Sequence, residues 1–223
     1  MAVSLGAVDL ANCAIGSTQV ERISVGDVLV WQNYQEAVYE FVTAGATNTP
    51  IPSWVKFIDL VLIGGGKGGS AGNGGSNVPG RGGAAASWQT TTWDIQGSGV
   101  TTLSMTVGAG GSGGQTSSQA GGNGGSTTAA TGVHSLTSAG ATGLSATNRD
   151  GDSAGNITAF GITFVGGVGA PGGGSAGGGG SPPSGVSTPP GAGGPGGWGG
   201  IFNSYQQGGP GARGQAWVRF RSA

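Results

Sequence analysis

Apolar residues along this chain come in short bursts, and the most continuous occupies 54–63. In WVKFIDLVLI only Lys56 and Asp59 interrupt the apolar character, and they fall on opposite faces of a period-two pattern. That pattern predicts a strand buried on both faces. It runs without transition into GGGKGG. Elsewhere alternation marks strands with one dry face. Leu103, Met105 and Val107 alternate with Ser104 and Thr106, and Phe160, Ile162 and Phe164 alternate with Gly161 and Thr163. Strands are accordingly expected at 38–43, 54–63, 88–95, 103–107, 157–165 and 216–221, with 45–52 a turn-rich loop. Val218 and Phe220 alternate with Arg219 and Arg221, which predicts a last strand at a sheet edge with its arginines in solvent. No segment carries a helical period, because Gly and Pro are too dense.

Residues 1–33 read as a unit of their own. In VERISVGDVLVWQ, at 20–32, two alternating segments flank Gly26-Asp27, and Gly at the first central position suits a two-residue type II′ hairpin turn. A lone hairpin is marginal in water, so this one needs another surface, such as copies of itself from other chains, with Trp31 as its anchor. The expected division is an N-terminal hairpin and oligomerisation module at 1–33, a linker at 34–37 and a glycine-rich β domain at 38–223.

Glycine changes the picture most. The chain has 54 Gly and 10 Pro in 223 residues, a density at which an aperiodic sequence is more often disordered. Most of the six Trp, six Phe and three Tyr lie within the short apolar segments, and a disordered linker has no use for them. Between the strands lie glycine tracts at 64–75, 108–125, 166–180, 191–200 and 208–214. Flexible tethers do not alternate with core strands in this way. Collagen requires Gly at every third place, a register that Gly172-Gly173-Gly174-Ser175 breaks. The remaining reading is a bundle of polyglycine II helices, extended and three-fold, whose N–H and C=O groups must be satisfied by neighbouring helices. Ordering glycine costs roughly 1 kcal/mol or more per residue. Tracts held at both ends by strands of a sheet lose most of that freedom when the sheet forms. Interior positions then admit Gly, Ala or Ser, while Asn73, Ser112, Asn123 and Pro171 face outward.

Composition and motifs exclude several functions. A formal net charge of −1 with 8% charged residues provides no basic field for nucleic acid or anionic lipid. No apolar run reaches the ~18 residues of a membrane span, and the first residues lack the basic region and apolar core of a signal peptide. Gly64, Gly66 and Gly69 satisfy GxGxxG after a strand, yet no helix follows and no carboxylate occurs before Asp94, so a dinucleotide site is not expected. A P-loop fails because Gly68 follows Lys67 where Ser or Thr is needed. The single cysteine, Cys13, rules out an intrachain disulfide and a cysteine-built metal site. His134 has no second histidine. Asn148, Asp150, Asp152 and Asn156 place oxygen ligands at alternating positions without EF-hand spacing, and an Asp-Gly turn explains them more simply; calcium binding stays open. A wall hydrolase needs two carboxylates across a cleft, and after Glu40 the chain has only Asp59, Asp94, Asp150 and Asp152. A Ser-His-Asp set would rest on His134, with no GxSxG elbow. The chain reads as a non-enzyme, with no catalytic residues, metal or cofactor.

The segment IGSTQVERISVGDVLVW resembles a small hairpin module of tail proteins from phages that infect actinobacteria. In order, IPSWVKFIDLVLIGGGKGG, LSMTVGAGGSGG and GGPGARGQAWVRFR are similar to the opening, middle and closing elements of the glycine-rich domain of minor tail proteins and tail-tip adhesins of long-tailed bacteriophages. The resemblance implies an all-β virion protein with a β-sandwich and polyglycine II connections. It also implies a place at the tail tip beside other tail-tip proteins, a homotrimer, and attachment to a host cell-surface glycan or wall polymer without membrane insertion. The alternatives are a purely structural tail-tip subunit and a tail-associated wall hydrolase. For an adhesin, aromatic side chains on polar loops are the expected contacts, since a sugar ring stacks on them while amides bond its hydroxyls. Trp198, Phe202, Asn203, Tyr205 and Gln206 sit together between two glycine tracts and are the candidate receptor-contact residues. The competing reading has them capping the bundle or packing on the sheet.

Overall fold

In a computed structural model of the chain, residues 13–15, 18–20, 22–32, 34–146, 149–172 and 185–223 are described. The protein is all-β, and every strand pairing is antiparallel. Cys13–Ile15 (β1) pairs with Thr18–Val20 (β2), and Arg22–Val25 (β3) pairs with Val28–Gln32 (β4). The β3–β4 turn has Gly26 at φ 59°, as a primed hairpin turn requires. The side-chain surroundings of Cys13 and Trp31 lie outside the described residues.

Two four-stranded sheets build the main domain. The first has the order β5-β14-β7-β8, from Glu36–Phe41 (β5), Phe57–Ile63 (β7), Trp88–Asp94 (β8) and Gln215–Arg221 (β14). The second has the order β11-β10-β9-β6, from Gly45–Pro50 (β6), Thr102–Val107 (β9), Thr127–Ala130 (β10) and Ser135–Ser138 (β11). Ile58, Leu60, Leu62, Val218 and Phe220 of one sheet pack with Leu103, Met105 and Ala129 of the other in a single core. The opposite face of β7 is buried too, as its near-continuous apolar run requires. Ile157–Ala159 (β12) and Ile162–Phe164 (β13) form a small hairpin over that face, where Phe164 packs on Trp217 at 5.1 Å and Trp217 stacks with Trp88 at 5.7 Å.

Three expectations are corrected. Residues 45–52 are not a loop, since β6 covers Gly45–Pro50. Its Gly-Thr-Asn composition is tolerated because β6 is an edge strand with only Thr49 turned to the core. Residues 157–165 are a hairpin rather than one strand. Phe160 and Gly161 take φ of 54° and 76° at its turn, a conformation that a central Phe conceals in the sequence. β14 is an inner strand between β5 and β7, and its arginines do not face open solvent but bond Asp59 of β7. The polar strands β10 and β11, and the β1–β2 pair, have no apolar alternation to announce them.

Strand ends continue directly into the glycine tracts. Along 64–73 successive N–H groups turn to three neighbours in rotation. Gly65, Gly68 and Ala71 donate to Gly125, Gly122 and Gln119; Gly66, Gly69 and Gly72 donate to Ala212, Gly209 and Gln206; Lys67, Ser70 and Asn73 donate to Ala84, Arg81 and Val78, all at 2.8–3.1 Å. The carbonyls of Lys67, Ser70 and Asn73 in turn accept from Gly194, Gly197 and Gly200. A period of three residues, with every bond leaving its own segment, is what extended three-fold backbones packed side by side require. Contact is close enough to demand glycine: a methyl group at Gly66 would lie 1.9 Å from the carbonyl oxygen of Ala192.

The expectation that only Gly, Ala or Ser occupy the interior is also corrected. Lys67 is buried, and its ammonium reaches the Gly121 carbonyl at 2.9 Å and Asn123 Oδ1 at 2.7 Å. Ser112, Asn123 and Pro171 are exposed, while Asn73 is half-buried.

Candidate functional site

Because each tract leaves or enters the sandwich at one pole, the links between tracts gather at the far end of the bundle. Among the described residues three links meet there: 73–78, 114–119 and 200–206. Their composition is Gly, Ser, Thr, Asn and Gln with Val78, Ile201, Phe202 and Tyr205, and no charged residue. They are bonded to one another. Gly74 N donates to Ser117 Oγ at 2.8 Å, Asn203 N to the Gly74 carbonyl at 2.8 Å, and Asn77 N to the Gly200 carbonyl at 2.9 Å. Asn73 organises the first link by accepting from the N–H groups of Gly75 and Ser76, and its amide donates to Ser118 Oγ in the second.

Backbone strain concentrates at this apex. Asn77, Ser118, Phe202 and Asn203 all have positive φ, between 54° and 62°. Such geometry is uncommon outside glycine and persists where the surroundings hold it. Side chains are thereby presented outward: Phe202 is 93% exposed and Ile201 is 55% exposed. A groove of about 330 Å³ opens between the first and second links, lined by Asn73, Ser76, Val78, Arg81, Ser118 and Leu144 among others.

The five residues singled out in the sequence therefore fall at three levels. Phe202 and Asn203 stand at the apex. Tyr205 is half-buried, its hydroxyl 3.4 Å from the Gln115 carbonyl. Trp198 and Gln206 sit at the base, where Gln206 N donates to the Trp198 carbonyl at 2.9 Å. The Arg149 guanidinium lies 4.4 Å over the Trp198 ring, and the indole N–H is buried with no hydrogen-bond partner among the described residues. Sequence reasoning missed the links at 73–78 and 114–119. Their signal was present as Asn-, Gln- and Ser-rich breaks within glycine tracts, but nothing along the chain says that these breaks meet.

Other candidate groups are engaged elsewhere. Asp150 Oδ1 accepts from Gly172 N at 2.6 Å, Asp152 Oδ1 from Ser145 Oγ at 2.5 Å, and Asn156 Oδ1 from Gly166 N at 3.1 Å. Asn148 lies outside the described residues. The described residues hold no group of three or more His, Cys, Asp or Glu placed to bind a metal ion. His134 stacks on Trp93 at 5.5 Å, with Nε2 3.1 Å from the Asp94 carbonyl. No helix among the described residues is long and apolar enough to cross a membrane.

A sandwich whose strands run on into a hydrogen-bonded glycine bundle places the chain in a class, and residues 42–221 match that class throughout: the chain belongs to the glycine-rich domain family. Over 127 residues it is 36% identical to the Gene 32 protein of Mycobacterium phage L5. The match covers 52% of this chain and 54% of that protein, so the chain spans about half the length of the curated relative it matches. The likeness points to a phage protein.

Proposed function

We propose that the protein is a structural component of a phage virion, set at the tail tip, which attaches to the host envelope through the apex of its glycine bundle. The observation that carries this is polarity. β5 begins and β14 ends at the pole opposite the links, where Ser222 N donates to the Gln35 carbonyl at 3.0 Å and Gln35 N to Ser222 Oγ at 2.8 Å. The N-terminal hairpins are tethered at this pole, facing the other tail-tip proteins, and join three copies. The apex points the other way. Between the poles, the tracts act as polyglycine II helices, a rigid spacer supported by the three-residue rotation of their hydrogen bonds.

The proposed role is non-enzymatic; Asp59, Asp94, Asp150 and Asp152 each accept hydrogen bonds within the fold. Phage carrying Phe202→Ala or Tyr205→Ala test attachment. Impaired adsorption with normal particle assembly is expected. Unchanged adsorption by both variants leaves the purely structural tail-tip subunit as the better reading.

A further inference from the structure

We propose that the apex recognises an uncharged polysaccharide, rather than an anionic wall polymer or a lipid surface. The inference rests on the attachment reading above and specifies its ligand.

Charge decides the first alternative. The three links at 73–78, 114–119 and 200–206 carry no ionisable group other than the Tyr205 phenol. Arg81 is the one charged residue lining the groove, and its Nη2 is committed to the Ser145 carbonyl at 2.7 Å. A polyanion is gripped by clustered cations. This surface provides one guanidinium with no second cation in the groove lining.

Hydrogen-bonding inventory decides the second. The exposed part of the apex is dense in amides and hydroxyls: Ser76, Asn77, Gln115, Thr116 and Asn203. Burying these against acyl chains would strand polar groups at a cost of roughly 1–3 kcal/mol each, whereas sugar hydroxyls both donate to and accept from such groups. Phe202, almost wholly exposed on a turn held at positive φ, offers a flat apolar face beside them. The groove volume of about 330 Å³ lies within the ~300–1,000 Å³ span of small-ligand pockets. A groove that mixes amide and hydroxyl groups with Val78 and Leu144, an exposed Phe202 ring and one engaged guanidinium together form the complement of a neutral sugar.

The test uses the full chain and insoluble cell-wall fragments of the host, with retention measured by sedimentation. Fragments oxidised with periodate, which cleaves vicinal diols, are expected to lose at least tenfold in retention. Fragments extracted with organic solvent, and binding raised from 50 to 500 mM salt, are expected to change less than twofold. Ser76→Glu, which puts a charge on the groove lip, and Phe202→Ala should each weaken retention about tenfold or more. Retention that survives periodate, collapses in salt or disappears with the extracted lipid overturns the neutral-glycan assignment while leaving attachment intact. No retention on untreated fragments overturns attachment itself.

Discussion

Arg219 Nη2 lies 2.7 Å from Asp59 Oδ2, and Arg221 Nε reaches the same oxygen at 3.0 Å. Thr92 Oγ1 donates to the other carboxylate oxygen at 2.6 Å. Asp59 is 2% exposed, in the middle of the most buried strand. Burial alone would push its carboxyl pKa up, but the hydrogen bonds from Thr92, Arg219 and Arg221 and the Arg221 charge hold it below the ordinary value. A depressed carboxylate pKa contributes stability that is present above the unfolded value of ~3.9 and is lost as pH falls through the folded value. Unfolding midpoints in urea should therefore hold above about pH 5 and fall on acidification. Asp59→Asn should lower stability by about 3 kcal/mol at pH 7, the low end for a broken buried pair because Arg219 and Arg221 keep some solvent contact. The variant's loss should shrink at pH 3. An equal loss at pH 3 and pH 7 would show that the ion pair is not the cause.

Glycine at the bundle interior is required by distance rather than by flexibility. Gly66→Ala drives a methyl into the Ala192 carbonyl and should cost about 3 kcal/mol, or open the 191–200 segment outright. Gly132 lies in the β10–β11 turn with nothing within 4 Å of an added methyl, so Gly132→Ala should stay within about 0.5 kcal/mol. Thermal unfolding of the two variants makes the comparison, and similar midpoints would contradict the packing described.

Lys67 sets the register of the bundle. Because the backbone bonds repeat every three residues, a three-residue slip of 119–125 against 64–73 would preserve most of them. The Lys67 bonds to Gly121 and Asn123 would not survive the slip. Lys67→Met should cost about 1–3 kcal/mol. Amide exchange should accelerate across 119–125 with β7 unaffected, and uniform acceleration through the sandwich would contradict a local pin.

Phe202 makes no comparable contribution to folding. At 93% exposure its replacement by Ser should change stability by less than about 0.5 kcal/mol, a shift of about 1–2 °C in Tm for a chain of this size. A larger fall would mean that the ring packs within the protein and does not stand out at the apex.

The sequence by itself determined the all-β class and the burial of β7 on both faces. It also determined the alternation of β9 and the turn at Gly26-Asp27, because these depend on side-chain period and local backbone preference. It placed the glycine tracts between strands for the same reason: a composition that cannot bury a core must lie outside it. What it could not decide was partnership. Arg219 and Arg221 read as solvent-facing until β14 is seen beside β7, where one carboxylate 160 residues away in the chain, at Asp59, takes both. Lys67 read only as the lysine of a P-loop that fails, and its partner Asn123 is seen only in the fold. The β10 and β11 strands, made of Thr, Ser and Ala around Leu136, exist only because β9 and the opposite sheet give them edges and a surface to pair with. The apex follows the same rule. Phe202 and Asn203 were visible as an aromatic and polar cluster, while the two links that complete their surface come from tracts more than 80 residues earlier, joined by backbone hydrogen bonds that carry no side-chain signature.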